Sequence, residues 1–515
     1  VVVDLDNITL GQTIADGDLK LDGAVELLGK LEVAGDLILD SAGNLVNADI
    51  FADSADIKAN TIANSSIVAA SGDLVFDAKD LYNLNVSAGA NIDGQNVDGN
   101  IVGGSYVATD SITFDNAAYI ASLGLDAGDD ITLVATGKVE LVEAKANDAL
   151  SITALAIDGS TLISNNGDVT LNAAQIADSI ITAQTGSVFF EAGDLYNLTV
   201  SANASIDGDA VTGNIIGGSY IATDSISFAD AAYIASLGLD AGDDITLSAS
   251  GNVELVEAKA NDALSITALA IDGSTLISNN GDVTLNADQI VDSTITAQAG
   301  SVFFEGSDLY NLTVSANASI DGDAVTGNII GGSYVATNNI SFADAAYIAS
   351  LGLDAGDEIT LESAGKVELI DAKANDALSI TALAIDGSTL ISNNGDVTLN
   401  AAQIADSTIT AQTGSVSFDG SDLYNLAVTA AADIDGNAVI GNIVMGNYLA
   451  GNDIVFEKAA TIASASFDAS NDISLAAIGN IELIDAKAND ALSISAAAID
   501  GSTLISNNGD VTLNA

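Results

Sequence analysis

The chain of 515 residues contains no cysteine, proline, tryptophan or histidine, and its 11 basic residues are all lysine. Without cysteine no disulfide can form, which repeat proteins tolerate because stacking supplies their stability. Without proline every backbone N–H is free to join a ladder, as strands paired on both sides require. The shortage of basic residues argues against nucleic acid, whose phosphates need Lys and Arg to neutralise them. Anionic membrane surfaces are disfavoured for the same reason. No apolar run reaches about 18 residues, so no membrane insertion by a helix is expected. The chain opens at Val1 without a basic, apolar leader and stops inside a repeat, so the expectation is a processed protein or an interior piece of a longer one.

What is present is acid and hydrophobicity together. There are 72 acidic residues, a formal charge of −61, and 48% hydrophobic residues. That hydrophobic content is too high for a disordered acidic chain, whose ordering entropy would go uncompensated. The chain should fold and carry an acidic coat.

Repetition organises it. The stretch SNNGDVTLNA, Ser164 to Ala173, returns at Ser278, Ser392 and Ser506, each 114 residues on. Lys145 to Ala173 recurs unchanged at Lys259 to Ala287 and Lys373 to Ala401, and DLYNL starts at Asp80, Asp194, Asp308 and Asp422. The divisions are an irregular β portion at 1–44 (a cap or junction), a degenerate partial repeat at 45–79, repeats at 80–193, 194–307 and 308–421, and an incomplete repeat at 422–515.

The 114-residue unit divides further. Triplets begin at Ile226, Ile245, Leu264, Val283, Val302 and Ile340, in steps of 19 and one of 38. The missing beat falls near Asp321, with Ile320 one residue early. First and third triplet positions are apolar and the middle one is mostly hydroxylated, the alternation of a strand with one buried face. Leu285 should therefore face inward and Thr284 outward. A second apolar position follows at Ile234, Val253, Ile271 and Ile290, and a third near Leu237, Leu276 and Ile295. Three short strands per 19 residues describe one coil of an all-β, parallel β-solenoid, six coils to the 114-residue repeat. The Asn-Gly of the decamer is expected to supply positive φ at a corner, with Asp168, Asp282, Asp396 and Asp510 following it.

GDVTLNA at Gly167, GDDITLSA at Gly242 and GNVELVEA at Gly251 resemble the repeats of filamentous-haemagglutinin-like large exoproteins, adhesins of the two-partner secretion type. The resemblance runs from about residue 45 onward. It implies a right-handed β-helix that is secreted and displayed, elongated, at a bacterial cell surface, and it brings no catalytic residues. The family's secretion domain carries an Asn-Pro motif, which a chain without proline does not contain.

No enzyme is expected. Polysaccharide-acting β-helix enzymes typically need a basic residue or a metal beside the proton removed, and near-identical copies argue against a single active site. Lys145, Lys259, Lys373 and Lys487 read as structural, set to neutralise acids such as Glu143 and Glu257. The candidate sites are oxygen-rich corners. DAGDD places Asp126, Asp129 and Asp130 together, repeated as Asp240, Asp243 and Asp244 and as Asp354, Asp357 and Glu358. Such corners suit Ca²⁺, which takes six to eight oxygen ligands; solvated turns are the alternative. All 11 tyrosines occupy three positions of the repeat, beginning at Tyr82, Tyr106 and Tyr119. They pack corners or form a repeated contact surface for glycan or a neighbouring fibre. Open solenoid ends expose strand edges, so end-to-end or lateral self-association is the expected partnership, beside a glycan or cell-surface ligand.

Overall fold

A computed structural model describes the backbone of all but residues 1, 5–7, 11, 12, 24, 28 and 42, and the side-chain surroundings of all but 1–13, 24–28, 42 and 421. The chain divides into two compact units, Val1–Ala260 and Asn261–Ala515, each of strands and turns alone among its described residues. Each unit is a parallel β-solenoid.

In the second unit the first face of the coil begins Leu264, Val283, Val302, Ile320, Ile340, each paired in parallel with the next. Its inner partners are Ile266, Leu285 and Phe304, in register and buried. Thr284, between Val283 and Leu285, turns toward solvent and is half-exposed. The second face stacks Ile271, Ile290, Leu309, Ile329 and Ile348. The third stacks Leu276, Ile295, Val314, Tyr334 and Leu353. The physical cause is the geometry of a short strand in a coil. Its N–H and C=O groups point along the axis, and only the next coil can satisfy them. Like side chains therefore stack on like, and each fully buried Ile or Leu contributes about 1.5–3 kcal/mol.

The first unit repeats this arrangement. The third face there holds Tyr220 against Leu239, so Leu239 occupies the place that sequence spacing gives to Leu237. Toward the N-terminus the coil shortens: Leu19 pairs with Leu37 and Leu37 with Ala55, 18 residues apart. Of the strands within 1–44, Ile8–Leu10 and Val25–Leu27 pair only with each other, and the rest join the ladder that the following coils continue.

The missing beat has a concrete form. Val302 pairs with Ile320 and Ile320 with Ile340, a coil of 18 residues followed by one of 20. The strand there is two residues long, Ile320–Asp321. The third position is Gly322, where an added Cβ would lie 2.3 Å from the ring of Phe342. The phenylalanine of the next coil fills the space that a side chain would otherwise take. Gly94, Gly208 and Gly436 stand in the same relation to Phe114, Phe228 and Phe456.

The corners differ from the expectation. Left-handed backbone recurs down one column, for example Gly273, Asp292, Asn311, Gly331 and Ser350 on successive coils, with further glycines such as Gly332 beside it. The Asn-Gly of the decamer lies at another corner, and its glycine keeps ordinary φ. Gly281 is needed there because an added Cβ would meet the carbonyl carbon of Asp262, one coil earlier, at 2.6 Å. Close approach of two backbones, rather than positive φ, selects this glycine.

Candidate functional site

The DAGDD residues separate onto two elements. Asp126 is an exposed residue of strand Tyr119–Ala127, and its partner one coil on is Lys145. Asp240 faces Lys259 and Asp354 faces Lys373 in the same way. In the fourth copy Lys487 Nζ lies 3.7 Å from Asp468, with both side chains about half exposed. The acid across from each of these lysines is thus the first aspartate of the motif, in place of the Glu143 and Glu257 suggested by sequence proximity.

Asp129, Asp243 and Asp357 lie in the turn, with backbone N–H groups donating to Asp110, Asp224 and Asn338 one coil earlier. Asp130, Asp244 and Glu358 stand immediately before the first-face strand. Asp130 Oδ1 accepts the Ala149 N–H at 2.8 Å, and the Glu358 N–H donates to Asn339 Oδ1 at 3.1 Å. Among the described residues no three carboxylates gather into a group that could hold a metal ion.

This strand-entry position forms a side-chain ladder along the axis. Asp168 Oδ1 accepts the Ser187 N–H, Asp282 Oδ1 that of Ser301 and Asp396 Oδ1 that of Ser415, at 2.7–2.8 Å. The aspartate that closes SNNGD therefore ties the start of one strand to the start of the next. Serine anchors the same corner. Ser278 is fully buried; its Oγ accepts the Gly281 N–H at 3.1 Å and donates toward the carbonyls of Asp262 and Gly281.

Ion pairs are few. Lys138 bridges Asp158 at 2.8 Å and Glu140 at 3.0 Å, and Lys366 bridges Asp386 and Glu368 at the same distances. The side-chain hydrogen bonds that Lys138 donates to Asp158 and then to Glu140 hold its ammonium above its ordinary pKa. These side chains are 35–45% exposed, and solvent screens the pairs.

The tyrosine positions part company. Tyr106, Tyr220, Tyr334 and Tyr448 are buried in the core, edge-on to Phe114, Phe228, Phe342 and Phe456 at 5.5–5.6 Å. Their hydroxyls have no hydrogen-bond partner, and burial pushes their pKa well up. This set cannot form a contact surface. The sets beginning at Tyr82 and Tyr119 are half-buried and reach solvent.

One surface feature escaped the sequence reading. Val142, Val256 and Ile370, each at least 66% exposed, recur with the exposed Leu155, Leu269 and Leu383. Val142 is the extra residue where the ladder slips between Leu123 and Gly124. Alternation from the buried Val139 and Leu141 puts Val142 on the outer face, and the bulge turns Glu143 outward beside it.

No protein-family model matches the chain, and no curated protein matches it. What the fold defines is a class: an all-β repeat protein of the parallel β-solenoid type, compatible with the repeat region of a β-helix adhesin.

Proposed function

We propose that the chain is part of a structural or adhesive rod displayed outside a bacterial cell, of the filamentous-haemagglutinin-like kind, without catalysis of its own. The observation that carries this reading is repetition of surface as well as core. The same exposed apolar and acidic positions return every 114 residues on near-identical coils. Such a surface suits many weak, equivalent contacts, with a glycan-coated surface or with a second copy. Electron microscopy of the purified chain is expected to show elongated rods, and their adhesion to glycan-bearing cells should rise with the number of repeats. Compact particles, or adhesion indifferent to repeat number, would overturn the proposal.

Cations belong to the same proposal. The charge of −61 leaves roughly two uncompensated negatives per coil, and coils spaced ~4.8 Å apart lie well inside a Debye length of about 10 Å. Self-repulsion of that kind weakens a compact state. Divalent cations distributed along the acidic columns would relieve it. Millimolar Ca²⁺ is expected to raise the thermal midpoint, and to promote lateral association, beyond monovalent salt of equal ionic strength. Coincident melting curves in the two salts would reduce the effect to general screening.

A further inference from the structure

The repeats share their surface, so a place where the surface departs from them is informative. One such place is a shallow cleft of about 300 Å³ in the first unit, which begins at Ser41 and touches four successive coils. Lys58 and Asn60 come from strand Ala55–Ala63, Asp77 and Lys79 from strand Leu74–Ala88, and Asn96 and Asp98 from the turn after Ile92–Asp93. The buried Ala59 and Ala78 form its floor.

Three observations single it out. One repeat later, at 114 residues' distance, the six polar positions from Lys58 to Asp98 hold Asn172, Ala174, Glu191, Gly193, Ala210 and Thr212, and no later copy restores a lysine at either place. The cleft brings together two of the chain's 11 lysines and is formally neutral, in a protein carrying −61. Finally, the two lysines differ. Lys58 is held by Asp77 at 3.1 Å, whereas Lys79 is exposed and has no carboxylate within ion-pair distance among the described residues. Asn96 and Asp98 are likewise exposed.

We infer that this cleft is a single binding site for an acidic sugar residue, with Lys79 receiving the anionic group and the Asp and Asn side chains its hydroxyls. The alternation of ammonium, amide and carboxylate matches a polyol, whose hydroxyls both donate and accept. The volume sits at the small end of ligand pockets and suits one or two rings. An unpaired ammonium gives an anionic sugar the advantage over a neutral one through a charge-assisted hydrogen bond. Two lysines are too few to hold a polyphosphate backbone against the surrounding charge. The inference does not depend on the adhesive reading, since it concerns a small ligand and one cleft.

The test uses the whole chain and glucuronate as probe, with glucose and acetate as controls, followed by chemical-shift changes in the nuclear magnetic resonance spectrum. Glucuronate is expected to shift resonances of the cleft coils in the millimolar range, while glucose and acetate at equal concentration do not. Lys79→Gly and Lys58→Asn install residues that the repeats themselves tolerate at these positions, so folding should persist. Lys79→Gly should weaken glucuronate by at least about tenfold, the scale of one charge-assisted hydrogen bond, and Lys58→Asn by less. Equal binding of glucose, equal binding of acetate, unchanged affinity in Lys79→Gly, or no shifts at all would each overturn the inference.

Discussion

Two corners of the same coil, eight residues apart, use glycine for opposite reasons. At Gly273 the backbone is left-handed, with φ of 54°, and an added Cβ would meet nothing within 4 Å. At Gly281 the φ is ordinary and the space is absent, because the backbone of Asp262 in the preceding coil lies 2.6 Å from where a Cβ would stand. The first glycine answers to torsion, the second to distance. The first column accordingly accepts Asp292, Asn311 and Ser350, all with positive φ. The decamer's glycine never varies among Gly167, Gly281, Gly395 and Gly509, since any side chain would push two coils apart.

This difference can be broken at four places. Gly281→Ala should be the most damaging, costing about 3 kcal/mol, because backbone must yield rather than a rotamer. It should also raise hydrogen exchange in the strands on both sides of the corner. Next comes Ser278→Ala, which leaves the part-buried Gly281 N–H and the Asp262 carbonyl short of the serine hydroxyl at a cost of about 1 kcal/mol. Its exchange should rise at the decamer corner and stay unchanged at Gly273. Gly273→Ala meets only the left-handed penalty, about 1 kcal/mol, and should lower the thermal midpoint while leaving the exchange pattern intact. If Gly273→Ala proved as harmful as Gly281→Ala, the distinction between the corners would fail. The smallest effect has the opposite sign. Met445 occupies the left-handed column with φ of 56°, where the preceding repeat has Gly331. Met445→Gly should stabilise by about 0.5 kcal/mol, relief of the torsion less the added freedom of the unfolded chain. A fall in the midpoint would show that the methionine packs usefully.

Much of the fold was legible because its signal is periodic. The triplets at Leu264, Val283 and Val302 announce their own register, and Leu285 and Thr284 face as alternation requires. The corners were not legible, since a glycine chosen for torsion and one chosen for proximity are the same letter. Tyr334 shows a second limit. Its amphipathic side chain suits a surface, but its column places it between Val314 and Leu353 inside the coil. The strand-entry role of Asp282 depends on an N–H 19 residues away, which only the coil geometry brings near. The Lys58–Lys79 cleft was hidden for a similar reason: its residues are scattered from Ser41 to Asp98 and converge only when coils of unequal length are laid on one another.

Those unequal lengths have a further consequence. The coil from Val188 to Ile206 is one residue short and the next, to Ile226, one residue long, so the phase lost in one turn is regained in the following one. The 114-residue block therefore behaves like a whole number of threads on a screw. Excising residues 194–307 would place Asp308 after Gly193 as Asp194 stands now, with each glycine still in its own column and each phenylalanine still over its gap. Removing one 19-residue coil across the Gly322 step would instead set a side chain against Phe342. Length in such a molecule is a quantity that can be changed in whole blocks without leaving a seam.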